Sequence, residues 1–164
     1  MTSTATTSPG IDVDALAGRD WSTDERANAD VVAEFVQLLM IDHDLDGVRR
    51  RFGSSPYVQH NHSIPDGIEG LLGYIERLVK RFPEYSYDVR RITVDGDVVT
   101  FQSHVTMRAK HRGNDRKDLN IIDSWRVVDG EIGDHWDALQ PLDAFMRFYA
   151  FVTGGRVRND NGTF

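Results

Sequence analysis

The sequence contains no cysteine, which excludes disulfides, thiolate metal sites and a cysteine nucleophile. It has no run approaching the roughly 20 apolar residues that span a bilayer. There is no Gly-rich phosphate loop, Walker pattern or Gly-x-Ser-x-Gly elbow. Dinucleotide oxidoreductase, kinase and covalent hydrolase readings thereby lose their main support. Basic residues are in deficit: 19 Lys and Arg stand against 26 Asp and Glu, a formal net charge of −7. Such a surface repels a phosphate backbone, so nucleic acid is not an expected partner. The one basic cluster, Arg108, His111, Arg112, Arg116 and Lys117, lies between two strand-like runs and reads as a solvated loop. Met1 to Gly10 is rich in Ser and Thr, with neither the basic start nor the apolar stretch of a secretory signal. It reads as a disordered leader, and the expected location is cytoplasmic with no membrane association.

What remains is one domain's worth of chain, 164 residues. Ser22-Thr23-Asp24-Glu25 is a capping-box pattern, and Val32, Phe35, Val36 and Leu39 follow at helical spacing, predicting a helix over about 23–41. A second short helix fits Asp44 to Phe52, with Leu45, Val48 and Phe52 on one side, and Ser54-Ser55-Pro56 breaks it. Tyr57 to Asn61 suits a brief strand or an extended loop. Asp66 then opens the clearest amphipathic helix, with Glu69 in the capping-box position, Ile68, Leu71, Leu72, Ile75, Leu78, Val79 and Phe82 on its apolar face, and Pro83 to stop it. From Tyr85 the period changes to two. Four strands follow, with Asp95-Gly96 and Asp129-Gly130 as tight hairpin turns. Pro141 to Val152 is apolar and reads as a last helix or an edge segment. Helices first and a strand meander after them make an α+β order. The expected organisation is a leader over 1–21, a single domain over 22–153 and a flexible tail over 154–164.

Polar residues inside strands carry the functional signal, because strand faces alternate. Gln102 and His104 share one face of their strand, and His135 and Asp137 share one face of theirs. Asp123 sits among Ile121, Ile122, Trp125 and Val127. Asp123 and His135 lie at similar distances from the Asp129-Gly130 turn, which makes them cross-strand neighbours, adjacent or diagonal. Aspartate is depleted in strands. On an apolar face its carboxyl is desolvated, which raises its pKa and poises it for proton transfer. The alternative is a solvent-facing structural aspartate. His104 and His135, on strands flanking Asp123, fit a shared cavity walled by Trp125. His60 is either a hydrogen-bond donor at the pocket rim or a loop residue. His104, His135 and a carboxylate could form a ligand set, but without compact spacing the expectation is no metal.

Three segments together resemble the SnoaL-like polyketide cyclase family of the nuclear-transport-factor-2-like superfamily. They are Tyr57-Val58-Gln59-His60-Asn61 with Pro65-Asp66-Gly67; Gln102-Ser103-His104; and Ile122-Asp123-Ser124-Trp125-Arg126 through Asp129-Gly130-Glu131-Ile132 to His135-Trp136-Asp137. The resemblance implies a cone-shaped α+β barrel, its curved and mostly antiparallel sheet wrapped around N-terminal helices to enclose a pocket. It also implies that Asp123 is the acid/base of an aldol-type ring closure, and that Gln102 and His104 line the same cavity. His60 and His135 match motif positions with less defined duties.

These readings converge on a cofactor-independent acid/base enzyme acting on a small, apolar carbonyl compound by cyclisation, condensation, isomerisation or dehydration. Asp123, His104 and His135 would be catalytic; Tyr57, His60, Gln102, Trp125 and Asp137 would bind substrate. A non-catalytic small-molecule-binding module and a water-activating hydrolase using Asp123 and Asp137 are the alternatives, since fold does not fix function. A homodimer through the convex sheet face is expected, because the meander has apolar residues on both sides.

Overall fold

Asp12 accepts a hydrogen bond from the Ala15 N–H and so caps a four-residue helix, α1 (Val13–Leu16). In the computed structural model, which describes residues 9–18, 20–154 and 157–163, this turn docks on the domain through buried Val13. The Ile11 N–H bonds Gln37 Oε1 at 3.1 Å. The later part of the expected leader is therefore packed, while its first eight residues lie outside the described residues.

Ser22 and Glu25 form the full reciprocal capping box at the start of α2 (Thr23–Val36), satisfying donors that a helix N-terminus leaves orphaned. The helix then widens into a π-turn over Gln37–Ile41. Its stripe of Ala29, Val32, Phe35 and Val36 is buried and lies across the sheet. Asp44 caps α3 (Leu45–Phe52), whose Phe52 ring meets Phe35 edge-on at 5.1 Å. After the two-residue β1 (Val58–Gln59) comes α4 (Gly67–Arg81). Its expected capping box does not form. Asp66 instead accepts from the Gln59 N–H at 2.9 Å, and Glu69 pairs with Arg49. The Asp66 carboxylate thus ties β1 to the helix start.

The four long strands are β2 (Ser86–Asp95), β3 (Val98–Thr106), β4 (Leu119–Val128) and β5 (Glu131–Pro141). They pair in order as antiparallel neighbours, and β1 adds to β5 in parallel, giving the sheet order β1-β5-β4-β3-β2. The β4–β5 turn places Asp129 at φ 52° and Gly130 at φ 77°. Two positive φ angles are what a two-residue hairpin needs to match strand twist. The sheet keeps two free edges, β1 and β2, so the fold is α+β with an open curved sheet rather than a closed barrel.

Register decides which side chains meet. Phe101 stands opposite Asp123, which stands opposite Asp137, and Trp125 stands opposite His135; a bulge follows between Trp125 and Val127. Val99, Phe101, Val105, Ile121, Trp125 and Ile132 make the buried inner face beneath the helices. The final helix, α5 (Ala144–Thr153), is capped by Asp143 and packs on β5. Residues 157–163, expected as a flexible tail, are hydrogen-bonded to the segment after β1. The buried Asn159 amide donates to the carbonyls of Asn61 and Ile64 at 2.9 and 2.6 Å, and the Arg158 N–H donates to the His62 carbonyl.

Candidate functional site

Between the inner sheet face, α4, α5 and the 61–64 segment lies a cavity of about 520 Å³. This volume falls within the small-molecule range. Its walls are largely apolar and phenolic, among them Met40, Leu71, Ile75, Tyr85, Tyr87 and Ile121. Asp123 and Asp137 supply the carboxylates, and Arg77, Arg81 and Arg158 also line the space. Asp123 is 2% exposed and Asp137 half-buried.

Behind Asp123 stands His135, which does not itself line the cavity and is stacked between Trp125, ring centroids 5.1 Å apart, and Tyr57, 6.1 Å apart. Its Nδ1 contacts Gln59 Oε1 at 3.1 Å and its Nε2 contacts Asp123 Oδ1 at 3.2 Å. The Gln59 amide orientation is fixed independently: Oε1 accepts from the Asn61 N–H at 2.8 Å, and Nε2 donates to Tyr57 Oη at 2.8 Å. An acceptor at Oε1 requires the proton on His135 Nδ1. In the neutral ring Nε2 is then a lone pair facing a carboxyl oxygen. One further proton must occupy that contact, on Asp123 or on the imidazole. Burial pushes the Asp123 pKa up, His135 opposes by hydrogen bond and charge, and nearby Asp137 adds to the rise. The other carboxyl oxygen, Asp123 Oδ2, is buried with no hydrogen-bond partner among the described residues.

Asp137 is held differently. Both its oxygens accept from the Asn61 amide, at 2.6 and 2.9 Å. Ligand atoms of Asp123, His135 and Asp137 all lie within 4.8 Å of one another, close enough for the three to hold a cation. Tyr85 and Tyr87 stay protonated: burial raises both phenols, and the negative charge of Asp123 adds to that. They are neutral O–H groups on the cavity wall.

Residues 32–135, well over half of the chain, match the family model described as the SnoaL-like domain. The chain belongs to the SnoaL-like family. No functionally curated protein matches it at a significant level. Among solved structures, a candidate SnoaL-like polyketide cyclase from Jannaschia is similar at 19% identity and TM-score 0.59, covering 84% of this chain and 99% of that one. A candidate polyketide cyclase from Bacillus cereus has 20% identity and TM-score 0.58, over 70% of this chain and 75% of that one. A candidate hydroxylase from Streptomyces galilaeus has 17% identity and TM-score 0.56, over 84% and 89%. At such identities the shared property is the fold.

Within that SnoaL-like frame the expected site residues divide between the two faces of the sheet. Asp123, His135 and Asp137 come together. Trp125 and Tyr57 hold the His135 ring and do not line the cavity. Gln102 and His104 do not join them. They share a face with each other, as expected, but Phe101 is the β3 residue opposite Asp123, so even-numbered β3 positions point outward. There Gln102 bonds Asn120 at 3.2 Å, and His104 Nε2 donates to the Lys117 carbonyl at 2.9 Å. His60 also faces outward, bonded to Asp134 and stacked on Trp136 with centroids 4.7 Å apart. Gln59 and Asn61, which bond His135 and Asp137, are not among the expected site residues, although the sequence carries a signal for their face. In an extended segment they alternate with His60, so an outward His60 implies an inward pair. Tyr85 and Tyr87 carried the same period-two signal at the start of β2.

Proposed function

We propose that this SnoaL-like protein is a cofactor-independent acid/base enzyme that moves a proton α to the carbonyl of a small molecule held in the cavity. The observation that carries this reading is Asp123: buried in a largely apolar and phenolic wall, bonded to His135 through one oxygen, and without a partner on the other among the described residues. A carboxyl raised by burial is poised for proton transfer at neutral pH. In the proposed step Asp123 takes the α-proton through Oδ2, and the His135 contact shares the resulting change in charge. The enolate oxygen needs a donor. With Gln102 and His104 facing outward, the phenols of Tyr85 and Tyr87 are the donors on the cavity wall. Positioned donors of this kind are each worth roughly 10²–10³ in rate. Aldol cyclisation, condensation, isomerisation and dehydration all begin with this step.

The test does not need the physiological substrate. A panel of small apolar ketones and esters is incubated with the protein in deuterated water, and exchange at the α-carbon is followed by NMR. The expected result is exchange with at least one compound, abolished in Asp123→Asn. Exchange that persists undiminished in Asp123→Asn overturns the reading in favour of a binding module. We propose that the step needs no metal, because a shared proton already accounts for the 3.2 Å contact between His135 and Asp123. Stoichiometric zinc, iron or nickel lost together with exchange activity after chelator dialysis would contradict that.

A homodimer and a cytoplasmic location belong to the same proposal. Support for pairing comes from α5, where Phe145, Phe148, Phe151 and Val152 are exposed, rather than from the sheet's outer face. That outer face is mostly polar, with Thr100, Gln102, His104, Asn120 and Ser124 beside a single exposed Ile122 among these positions, and an apolar patch is what a partner would cover. Sedimentation at micromolar concentration should give twice the chain mass, and cell fractionation checks the location.

A further inference from the structure

The mouth of the cavity carries an opposite charge to its floor. Arg77 and Arg81 stand four residues apart on α4, hence on one helix face, and both line the cavity. Like charges at that spacing cost a few tenths of a kcal/mol, and neither arginine forms an ion pair among the described residues. Arg81 lies over the Tyr149 ring at 5.1 Å, on the part of α5 that closes the mouth. The third arginine comes from the far end of the chain. Arg158 is set at the mouth by its own N–H bond to the His62 carbonyl, and next to it the buried Asn159 amide clamps two carbonyls of the 61–64 segment. It too has no ion-pair partner among the described residues. A chain with a net charge of −7 has thus placed around one opening three guanidinium groups that form no ion pair among the described residues. Tyr74, which also lines the cavity, feels both sets of charges: burial raises its pKa most, Tyr149 and Asp137 add to the rise, and Arg158 and Arg77 oppose it.

We propose that the substrate is an anion, an apolar carbonyl compound bearing a carboxylate that Arg77, Arg81 and Arg158 receive at the mouth while its carbonyl end reaches Asp123. This rests on reading the cavity as a substrate site with Asp123 at the reacting end. Guanidinium groups suit the task because their donor forks match a carboxylate. Their position also orients the molecule: the anion is held away from the two carboxylates of the floor, which would repel it. An acidic protein attracts anions poorly as a whole, so the local field at the mouth is what draws one in.

The probes are naphthalene carboxylate and its neutral carboxamide, nearly isosteric and different in charge, titrated into the full chain by calorimetry. The wild-type protein should bind the carboxylate roughly five- to tenfold more tightly at low salt. The preference should shrink as added salt screens the mouth. Arg77→Gln with Arg81→Gln, and separately Arg158→Gln, should each reduce it, and the triple variant should bind both probes alike, with melting curves confirming the fold. Equal affinity of the two probes for wild-type protein, absence of carboxylate binding, or loss of both probes together in folded arginine variants would overturn the proposal. Asp123→Asn should not lower the preference. Missing α-exchange with an intact preference therefore refutes the acid/base reading, and present exchange without a preference refutes the anion.

Discussion

Asp134 and His135 are neighbours on β5, and each belongs to a His–Asp pair, one on either face of the sheet. Outside, His60 Nε2 meets Asp134 Oδ1 at 2.8 Å, and Arg126 pairs with the other oxygen of the same carboxylate at 2.9 Å. The His60 ring lies on Trp136, and its Nδ1 contacts the Gly162 carbonyl. Every polar atom of that cluster's two carboxyl and imidazole groups has a partner. Inside, Asp123 has His135 and, among the described residues, no arginine or lysine partner, and Oδ2 has no hydrogen bond among them. A fully satisfied pair braces structure; one with a buried unused acceptor against a cavity has the capacity to act on a guest. The same two residue types, one position apart in sequence, therefore support different duties.

Asp123→Asn should break the inner pair with the largest effect. The amide is isosteric and can donate to His135 Nε2, whose lone pair Gln59 directs inward, so the fold should hold. Turnover or α-exchange should fall by roughly 10²–10⁴, the usual contribution of a positioned base. Rates measured alongside a thermal melt decide it, and an unchanged rate would make the inner pair as structural as the outer one.

How far the sequence revealed this arrangement depended on whether local pattern or pairing register was the deciding physics. The capping box at Ser22, the Asp129-Gly130 turn and the alternation around Asp123 are local, and they located α2, the last hairpin and the buried carboxyl. Distance from the turn was enough to bring Asp123 to His135, because two antiparallel strands share one hinge. The face of His104 was harder to assign. It depends on whether Phe101 or Gln102 stands opposite Asp123, and twelve residues of loop, from Met107 to Asp118, separate those strands. A one-residue change in register moves every side chain to the other face. The clamp by Asn159 was invisible for another reason. A polar tail reads as frayed until the carbonyls it will meet, those of Asn61 and Ile64, are placed beside it.

Gln59→Leu should give the next largest effect, and it sharpens the contrast from the side of His135. The substitution leaves the buried His135 Nδ1–H, the Asn61 N–H and the Tyr57 hydroxyl without their present partner. Stranding buried polar groups costs about 1–3 kcal/mol each, less whatever relaxation recovers. A loss of roughly 2–4 kcal/mol in urea denaturation is expected, with an unchanged m-value if the native state stays compact. A loss below about 0.5 kcal/mol would mean that the amide does not hold the ring.

The two pairs should also be separable by pH, although both push stability in the same direction. The folded-state pKa of Asp123 is raised, chiefly by burial, so its protonated form favours the folded chain. That contribution is fully present below the ordinary carboxyl value of about 3.9 and is lost as pH rises through the raised value. For His60, burial lowers the pKa, but the Asp134 hydrogen bond and charge together with the Gly162 carbonyl outweigh it, and the net shift is upward. Its contribution is present below about 6.5 and is lost as pH rises above that. Melting temperature against pH should therefore show two descending contributions, beginning near those two ordinary values. Asp123→Asn should remove the acidic one and His60→Gln the neutral one. Removal of both by a single substitution would mean that the faces are coupled.

The smallest effect is expected at His104, and it is the sharpest check on the division of faces. Family resemblance makes this histidine a cavity residue; register makes it an outer one. Its ring gives one hydrogen bond, from Nε2 to the Lys117 carbonyl, and the Nδ1 atom has no partner among the described residues. The bond ties β3 to the end of the 107–118 loop, which is also held by buried Asp118, bonded to His111 Nδ1 at 2.8 Å and to the Met107 N–H at 3.2 Å, and by Arg112, which donates to the Glu84 carbonyl at 3.1 Å. Removing one such bond costs about 1 kcal/mol, and the loop retains the Asp118 anchor. His104→Ala should therefore lower stability by roughly that amount, with α-exchange or turnover within about twofold of wild type. Amide hydrogen exchange should quicken in the loop and not around Asp123. The decisive quantity is the ratio of the two rate losses. If His104→Ala slows the reaction by anything near the Asp123→Asn factor while the melt hardly moves, the outer face takes part in chemistry. The separation of duties across β3, β4 and β5 would then have to be abandoned.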